Sequence, residues 1–158
     1  MAIKIEGMEI FQKQLERLAA DIQKINRGAL GEAAGYVADE MKSALEGMPV
    51  RDDSTHPNKL YGATASEKAQ IIQNFGISHF DDGGDLITTS VGFTGYVDTP
   101  SRRFNNKVPT GMLMQCIEYG TSFRKGTHTI GNTANRLREE AARKSQDYID
   151  KRVKEIMN

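Results

Sequence analysis

The sequence has no tryptophan, a single cysteine and no net charge, and the last two features each exclude a class of protein. The one cysteine, Cys116, cannot form an internal disulfide or a multi-cysteine metal site, which is typical of a reducing compartment. Because 21 basic residues balance 21 acidic ones, a protein devoted to coating nucleic acid or an anionic membrane is not expected. No apolar run approaches the roughly 20 residues that span a bilayer, and the N-terminus lacks the basic and apolar regions of a signal peptide. We therefore expect a cytoplasmic protein.

The size and composition indicate one globular domain over residues 1–158. A chain of 158 residues can bury one substantial core but hardly two. With 38% hydrophobic residues, seven methionines and 7% aromatics, that core should be aliphatic and rich in methionine.

Two apolar stripes predict helix over about residues 7–46. The first stripe has steps of 4, 3, 4 and 3 residues and consists of Phe11, Leu15, Leu18, Ile22 and Ile25. The second has helical spacing too and consists of Leu30, Ala34, Val37, Met41 and Ala44. The five-residue gap between them predicts a bend or break at residues 26–28, and two such short stripes indicate helices packing on a sheet rather than a coiled coil. Gly47 and Pro49 should end the helix.

The rest of the chain predicts an α+β fold, with the helices packed on a small antiparallel sheet. A short helix over about 66–75 would be capped by Ser66. Glycines within 81–85 predict a hairpin between strands at about 76–80 and 86–93. We expect a long inter-strand loop over 94–111, a third strand over 112–119, and a last helix over about 132–156.

The stretch "MQCIEYGTSF", residues 114–123, contains the most suggestive polar residues. Taken as a strand end, it lets the Glu118 carboxylate accept hydrogen bonds from Thr121 and Ser122 as the chain turns at Gly120. Buried carboxylates must be hydrogen-bonded or paired, so we assign structural roles to Glu118, Gly120 and Thr121.

A catalytic interpretation of the same stretch makes Cys116 or Thr121 a nucleophile, with His79 or His128 as base. No motif places either histidine beside Cys116, and a lone cysteine is more often a small core residue. Neither the three histidines nor the aspartates of 81–85 have metal-ligand spacing, and no stretch has the Gly-Lys-Ser/Thr framework of a phosphate loop. We therefore predict no catalytic residue, no metal site and no cofactor.

The charges are distributed unevenly along the middle of the chain. Residues 69–98 contain four aspartates and no basic residue, while residues 99–125 contain five basic residues against one acidic. One hypothesis is that these loops meet across an interface between copies, and the alternative is two solvated loops on one molecule. The candidate interface residues are Asp81, Asp82, Asp85, Arg102, Arg103, Phe104, Lys107, Arg124 and Lys125.

Five segments together resemble the tail-component family of long-tailed bacteriophages, whose members are described as tail-completion or head-to-tail joining proteins. They are "IKIEGMEIFQKQLERL", "GEAAGYVADEMKSAL", "VGFTGY", "IEYGTS" and a charged C-terminal helix, and they extend over nearly the whole chain. The most telling is "EYGTS", residues 118–122, after a long loop.

The resemblance implies a non-enzymatic structural protein of the virion tail, made in the host cytoplasm. It would form a ring, hexameric in the virion, that stops tail-tube growth and contacts the tail tube protein and the head connector. It implies no membrane partner. The alternative function is a small nucleic-acid-binding module, in which Phe104 stacks on a base while Arg102, Arg103 and Lys107 contact phosphate. A third possibility is a cysteine-dependent hydrolase built on Cys116, but the sequence specifies no partner for that residue. Alkylation of Cys116 would test this possibility.

Overall fold

The computed structural model describes residues 8–51, 60–83 and 86–158, which fold into helices and short β-ribbons. The helices are α1 (Met8–Glu46), α2 (Ala65–Gln73), α3 (Thr110–Tyr119) and α4 (Thr129–Met157). The strands are β1 (Leu60–Tyr61), β2 (Phe75–Ile77), β3 (Asp81–Asp82), β4 (Ile87–Thr88), β5 (Val91–Phe93), β6 (Tyr96–Asp98), β7 (Lys107–Pro109) and β8 (Arg124–Lys125). This mixture confirms the predicted α+β class.

Helices α1 and α4 lie antiparallel along each other. At one end the Gln14 side chain donates to the Met157 carbonyl at 2.8 Å, and nearer the other the Arg136 guanidinium is 3.2 Å from the Glu40 carboxylate. Between them α1 runs uninterrupted, so the predicted break at residues 26–28 is wrong. Gly28 has a packing role instead: a methyl group there would overlap the Tyr148 ring.

The gap between the two apolar stripes does not mark a change of neighbour, because α4 contacts α1 on both sides of it, with Met157 at Gln14 and Arg136 at Glu40. The buried residues of α1 are Ile25, Ala29, Ala34, Met41 and Leu45, of which Leu45 belongs to the main core. The main core combines residues from α1, α2, α3, β6 and β7 with two from the connecting segments. Its buried members are Leu45, Met48, Ala63, Ile71, Val97, Val108, Leu113, Met114 and Ile117.

The first apolar stripe is less buried than an amphipathic pattern suggests. Ile25 is buried and Leu18 half-buried, but Phe11, Leu15 and Ile22 remain 50%, 44% and 50% exposed. The expectation that this part of the helix packs on a sheet is therefore wrong, because its neighbour is α4 and a single helix covers only one side.

The strands form four two-stranded ribbons rather than one three-stranded sheet. Three are antiparallel, β2 with β5, β3 with β4 and β6 with β7, whereas β1 pairs with β8 in parallel. The predicted hairpin near residue 81 is present as β3 and β4. The predicted strand at 86–93 is divided into β4 and β5 next to Ser90, whose amide donates to the Ser78 hydroxyl at 2.9 Å. The predicted 94–111 loop contains the β6–β7 hairpin.

The predicted third strand, 112–119, is wrong because this segment is helix α3. Its buried positions are Thr110, Leu113, Met114, Ile117 and Glu118, which follow the three- and four-residue spacing of one helix face. Short apolar runs fit a strand or a buried helix equally well, and here the helix buries Leu113, Met114 and Ile117 in the main core.

The starts of α2 and α4 also differ from prediction. Helix α2 is capped by Thr64, whose hydroxyl accepts the Glu67 amide at 3.2 Å, and not by Ser66. Helix α4 begins at Thr129, three residues before the predicted start.

Candidate functional site

Glu118 links α3 to the N-terminus of α4. Its carboxylate accepts the Ile130 amide at 2.9 Å and the Gly131 amide at 2.6 Å, while its side chain and backbone are only 3% exposed. The N-cap of α4, His128, has φ 53° and makes no side-chain cap hydrogen bond. Glu118 therefore supplies from another helix the negative charge and the acceptors that the first turn of α4 requires.

The predicted structural role of Glu118 is present with different donors. The amides of Ile130 and Gly131, not those of Thr121 and Ser122, reach the carboxylate, because Glu118 lies on a buried helix face rather than at a strand end. Thr121 instead closes a tight turn with Arg124, its amide donating to the Arg124 carbonyl at 2.8 Å.

Gly120 is required by that turn. It has φ 81°, and a Cβ there would lie 2.6 Å from the Arg124 carbonyl oxygen and 2.8 Å from the Gly126 nitrogen. Only glycine fits both the left-handed conformation and this close backbone approach.

A second buried carboxylate, Glu67, lies at the start of α2. It accepts the Thr64 amide at 2.9 Å, completing a capping box, and the Thr99 hydroxyl at 2.5 Å. Burial raises the pKa of Glu67, but the Thr99 and Thr64 hydrogen bonds and the charges of Arg51 and Arg124 together lower this pKa below its ordinary value. Sequence reasoning missed this site, although Thr64-x-x-Glu67 has the capping-box spacing.

Arg124 belongs to this buried site and not to the exposed basic surface predicted for it. It is 7% exposed, and its guanidinium donates to the Gly62 carbonyl at 2.6 Å. The adjacent Lys125 is exposed, with its ammonium 5.6 Å from the centre of the Tyr61 ring. Alternation along β8 accounts for the difference, because successive side chains of a strand point to opposite sides.

The acidic candidates lie on the β3–β4 hairpin. Asp81 and Asp82 are both exposed, and Asp82 forms a 2.7 Å ion pair with Arg27 of α1, which also lies over the Phe80 ring. Asp85 lies outside the described residues. One of the predicted intermolecular charges, Asp82, therefore already has a partner in its own chain.

The basic candidates lie on the β6–β7 hairpin. Arg102, Arg103 and Lys107 are exposed, whereas Phe104 is half-buried and packs against the core. The hairpin loop is held by its own hydrogen bonds: the Ser101 amide donates to the Asn106 side chain at 3.0 Å, and the Asn106 amide returns to the Ser101 carbonyl at 3.0 Å. The three basic side chains are thus exposed on a hairpin whose loop is ordered by its own hydrogen bonds.

The residues considered for catalysis are not brought into an evident constellation. Cys116 is half-buried on α3, while His79 and His128 are exposed. Over residues 8–51, 60–83 and 86–158, no three His, Cys, Asp or Glu side chains are grouped so that they could hold a metal ion. No helix in these ranges is long and apolar enough to cross a membrane.

Comparison with known proteins gave no relative. No family model, no curated protein and no solved structure matches this chain.

Proposed function

We propose that the protein is a structural subunit of a phage tail, of the tail-completion or head-to-tail joining type. It acts as a ring at the head-proximal end of the tail, where it stops tube growth and presents a surface to the head connector. The proposal is supported by the resemblance of five segments to the tail-component family and by the two exposed hairpins of opposite charge. Such a role requires contact surfaces and no catalysis.

The main support for the proposal is the set of exposed basic residues on the hydrogen-bonded β6–β7 hairpin. Arg102, Arg103 and Lys107 are exposed on it and form no ion pair with any described residue. A preformed loop loses little conformational entropy on binding, so its charges are well placed to contact an acidic neighbour.

The β3–β4 hairpin supplies the acidic counterpart on each copy. Asp81 is exposed and forms no ion pair within the described part of the chain, whereas Asp82 is engaged by Arg27. In a closed ring each subunit presents one patch to the neighbour on its left and the other to the neighbour on its right. The basic hairpin of one copy would then meet Asp81 of the next, in a hexameric ring that also binds the tail tube protein.

The nucleic-acid alternative is weakened by the position of Phe104. Because its ring packs against the core, stacking on a base would require the ring to leave that packing. The exposed arginines alone would give binding without a stacking platform.

Charge reversal tests the ring contact. Arg102→Glu with Arg103→Glu should abolish or weaken self-association and tail joining, and adding Asp81→Lys should partly restore both. Each exposed pair contributes only about 0.2 to 1 kcal/mol, but the loss recurs at every contact of the ring. Sedimentation velocity over a range of salt concentrations, together with a tail-joining assay, measures both effects.

The matched control is Lys42→Glu with Arg138→Glu, which makes the same change in net charge at exposed positions on α1 and α4. This control should assemble like the wild type. If the hairpin reversal also assembles like the wild type, or if Asp81→Lys restores nothing, the charges do not meet and the proposed contact is wrong. Binding of single-stranded DNA lost with Arg102 and Arg103, without any assembly defect, would favour the nucleic-acid alternative.

A further inference from the structure

The N-terminal part of α1 presents an apolar stripe that α4 leaves largely uncovered. Phe11, Leu15 and Ile22 are each exposed by 44% or more, and Leu18 between them is half-buried. At about 100° per residue these four positions fall within one narrow sector of the helix. Exposed apolar stripes of this kind mark surfaces that another molecule covers.

The tip of α1 also extends beyond its helical neighbour. The Gln14 side chain contacts the carbonyl of Met157, the last residue of α4, so residues 8–13 continue for roughly 9 Å past that end. Met8, Ile10 and Phe11 are all exposed there. A helix end that is apolar on several sides requires packing that α4 does not provide.

The charges near the stripe favour a second copy of this chain over a lipid surface or nucleic acid. Residues 8–25 carry three acidic side chains and three basic ones, so two copies meet without net repulsion. At about 100° per residue, five of the six lie well away from the stripe and Asp21 lies about 90° from its centre, so no charge interrupts the stripe. The six residues are Glu9, Lys13, Glu16, Arg17, Asp21 and Lys24. A basic amphipathic face, which anionic partners require, is not present in this segment.

The spacing of the stripe specifies the orientation of the partner. Phe11, Leu15, Leu18 and Ile22 are separated by 4, 3 and 4 residues, a series that reads the same in both directions. We infer that two copies of this chain pack their α1 stripes antiparallel, with Phe11 of each level with Ile22 of the other and Leu15 level with Leu18. This arrangement is a self-complementary contact that closes at two copies.

This contact is independent of the proposed ring. It uses the α1 stripe rather than the charged hairpins, and because it is apolar it should persist at high salt, where the ring contact weakens. Failure of one contact is therefore distinguishable from failure of the other.

Sedimentation equilibrium of the full chain tests the dimer. At high salt the wild type should have twice the 17.5 kDa mass of one chain. Phe11→Gln with Leu15→Gln should weaken the dimer on the order of 100-fold or more, since four apolar side chains are lost per dimer. Ile10→Gln is the control, because Ile10 is an apolar residue even more exposed than Phe11 but lies about 100° around the helix from it. A monomeric wild type, or a double variant as dimeric as the control, would overturn the inference.

Cysteine cross-linking in the Cys116→Ser background tests the orientation. An equimolar mixture of Phe11→Cys and Ile22→Cys chains should form a disulfide between the two variants. In an antiparallel dimer of one variant alone, the thiols of the two copies would lie roughly 16 Å apart along the helices, so neither variant alone should cross-link. Cross-linking of Phe11→Cys chains alone would show a parallel pair and would overturn the antiparallel arrangement.

Discussion

Glu67 and Glu118 are two carboxylates with the same exposure and the same kind of partner, yet they stabilise different levels of structure. Each is 3% exposed and accepts backbone amides at a helix N-terminus, Glu67 that of the N-cap Thr64 and Glu118 those of Ile130 and Gly131. Glu67 caps the helix in which it lies, through a partner three residues away. Glu118 caps a different helix, through partners 12 and 13 residues away. The first holds a local motif in shape, and the second fixes how two helices meet.

Replacing Glu67 should have the larger effect on stability. Glu67→Gln removes the charge beside Arg51 and Arg124 and gives Thr99 and Thr64 a weaker acceptor. Because this site is buried, we expect the free energy of unfolding to fall by about 3 kcal/mol. Urea unfolding followed by circular dichroism measures the loss. The control Glu139→Gln, at an exposed position on α4, should stay within about 0.5 kcal/mol of the wild type.

The same substitution should change the response to acid. Because the folded-state pKa of Glu67 lies below its ordinary value of 4.5, the ionised carboxylate stabilises the fold above that pH. This contribution is lost as the pH falls through the lower folded-state pKa. The gap in unfolding free energy between wild type and Glu67→Gln should therefore be constant near neutrality and narrow below about pH 4.5. A gap that stays constant down to pH 3 would exclude the charge as the cause.

Glu118→Gln should have an intermediate effect of about 2 kcal/mol. The amide side chain can still accept one hydrogen bond, but it loses the charge that favours the α4 N-terminus. Cys116→Ala on the same helix should cost less, since it removes one half-buried sulfur. Thermal melting of both variants measures the difference. Glu118→Gln protein that melts and assembles like the wild type would remove the structural role of this residue.

The smallest effect should come from Thr99→Val, which removes one hydrogen bond to Glu67 and leaves its carboxylate in place. Loss of the Thr99 hydrogen bond should lower the unfolding free energy by about 1 kcal/mol and raise the pKa of Glu67. The fall in unfolding free energy on acidification should therefore occur at higher pH than in the wild type. Measuring the unfolding free energy as a function of pH detects this shift, and the same pH dependence in both proteins would show that Thr99 does not hold the carboxylate.

The contrast between the two carboxylates also explains which parts of the structure the sequence predicts. Several features set by neighbouring residues agree with prediction: the end of α1 before Gly47, the pairing of β3 with β4, and a helix near residue 66, although its cap is Thr64 and not Ser66. Even the Glu67 cap was readable from its spacing to Thr64. Features set by distant partners were not predicted, because the Glu118 amides come from α4 and the burial of Arg124 depends on Gly62.

The error at residues 112–119 had a different source. An eight-residue apolar run has no unique periodicity, and packing against the core selected the helix. The first α1 stripe predicted the helix correctly but not its burial, since Phe11, Leu15 and Ile22 remain exposed.

The Glu118 contact has a mechanical consequence for the whole α1–α4 pair. Helix α4 is 29 residues long, or roughly 43 Å, and Glu118 holds it at one end. A change of about 5° in its direction at Ile130 and Gly131 would displace the far end, beside Gln14, by nearly 4 Å over that length. The packing of α1 along α4 and the Glu118 contact at its start therefore together fix where the far end of the helix pair lies, tens of ångströms from the carboxylate.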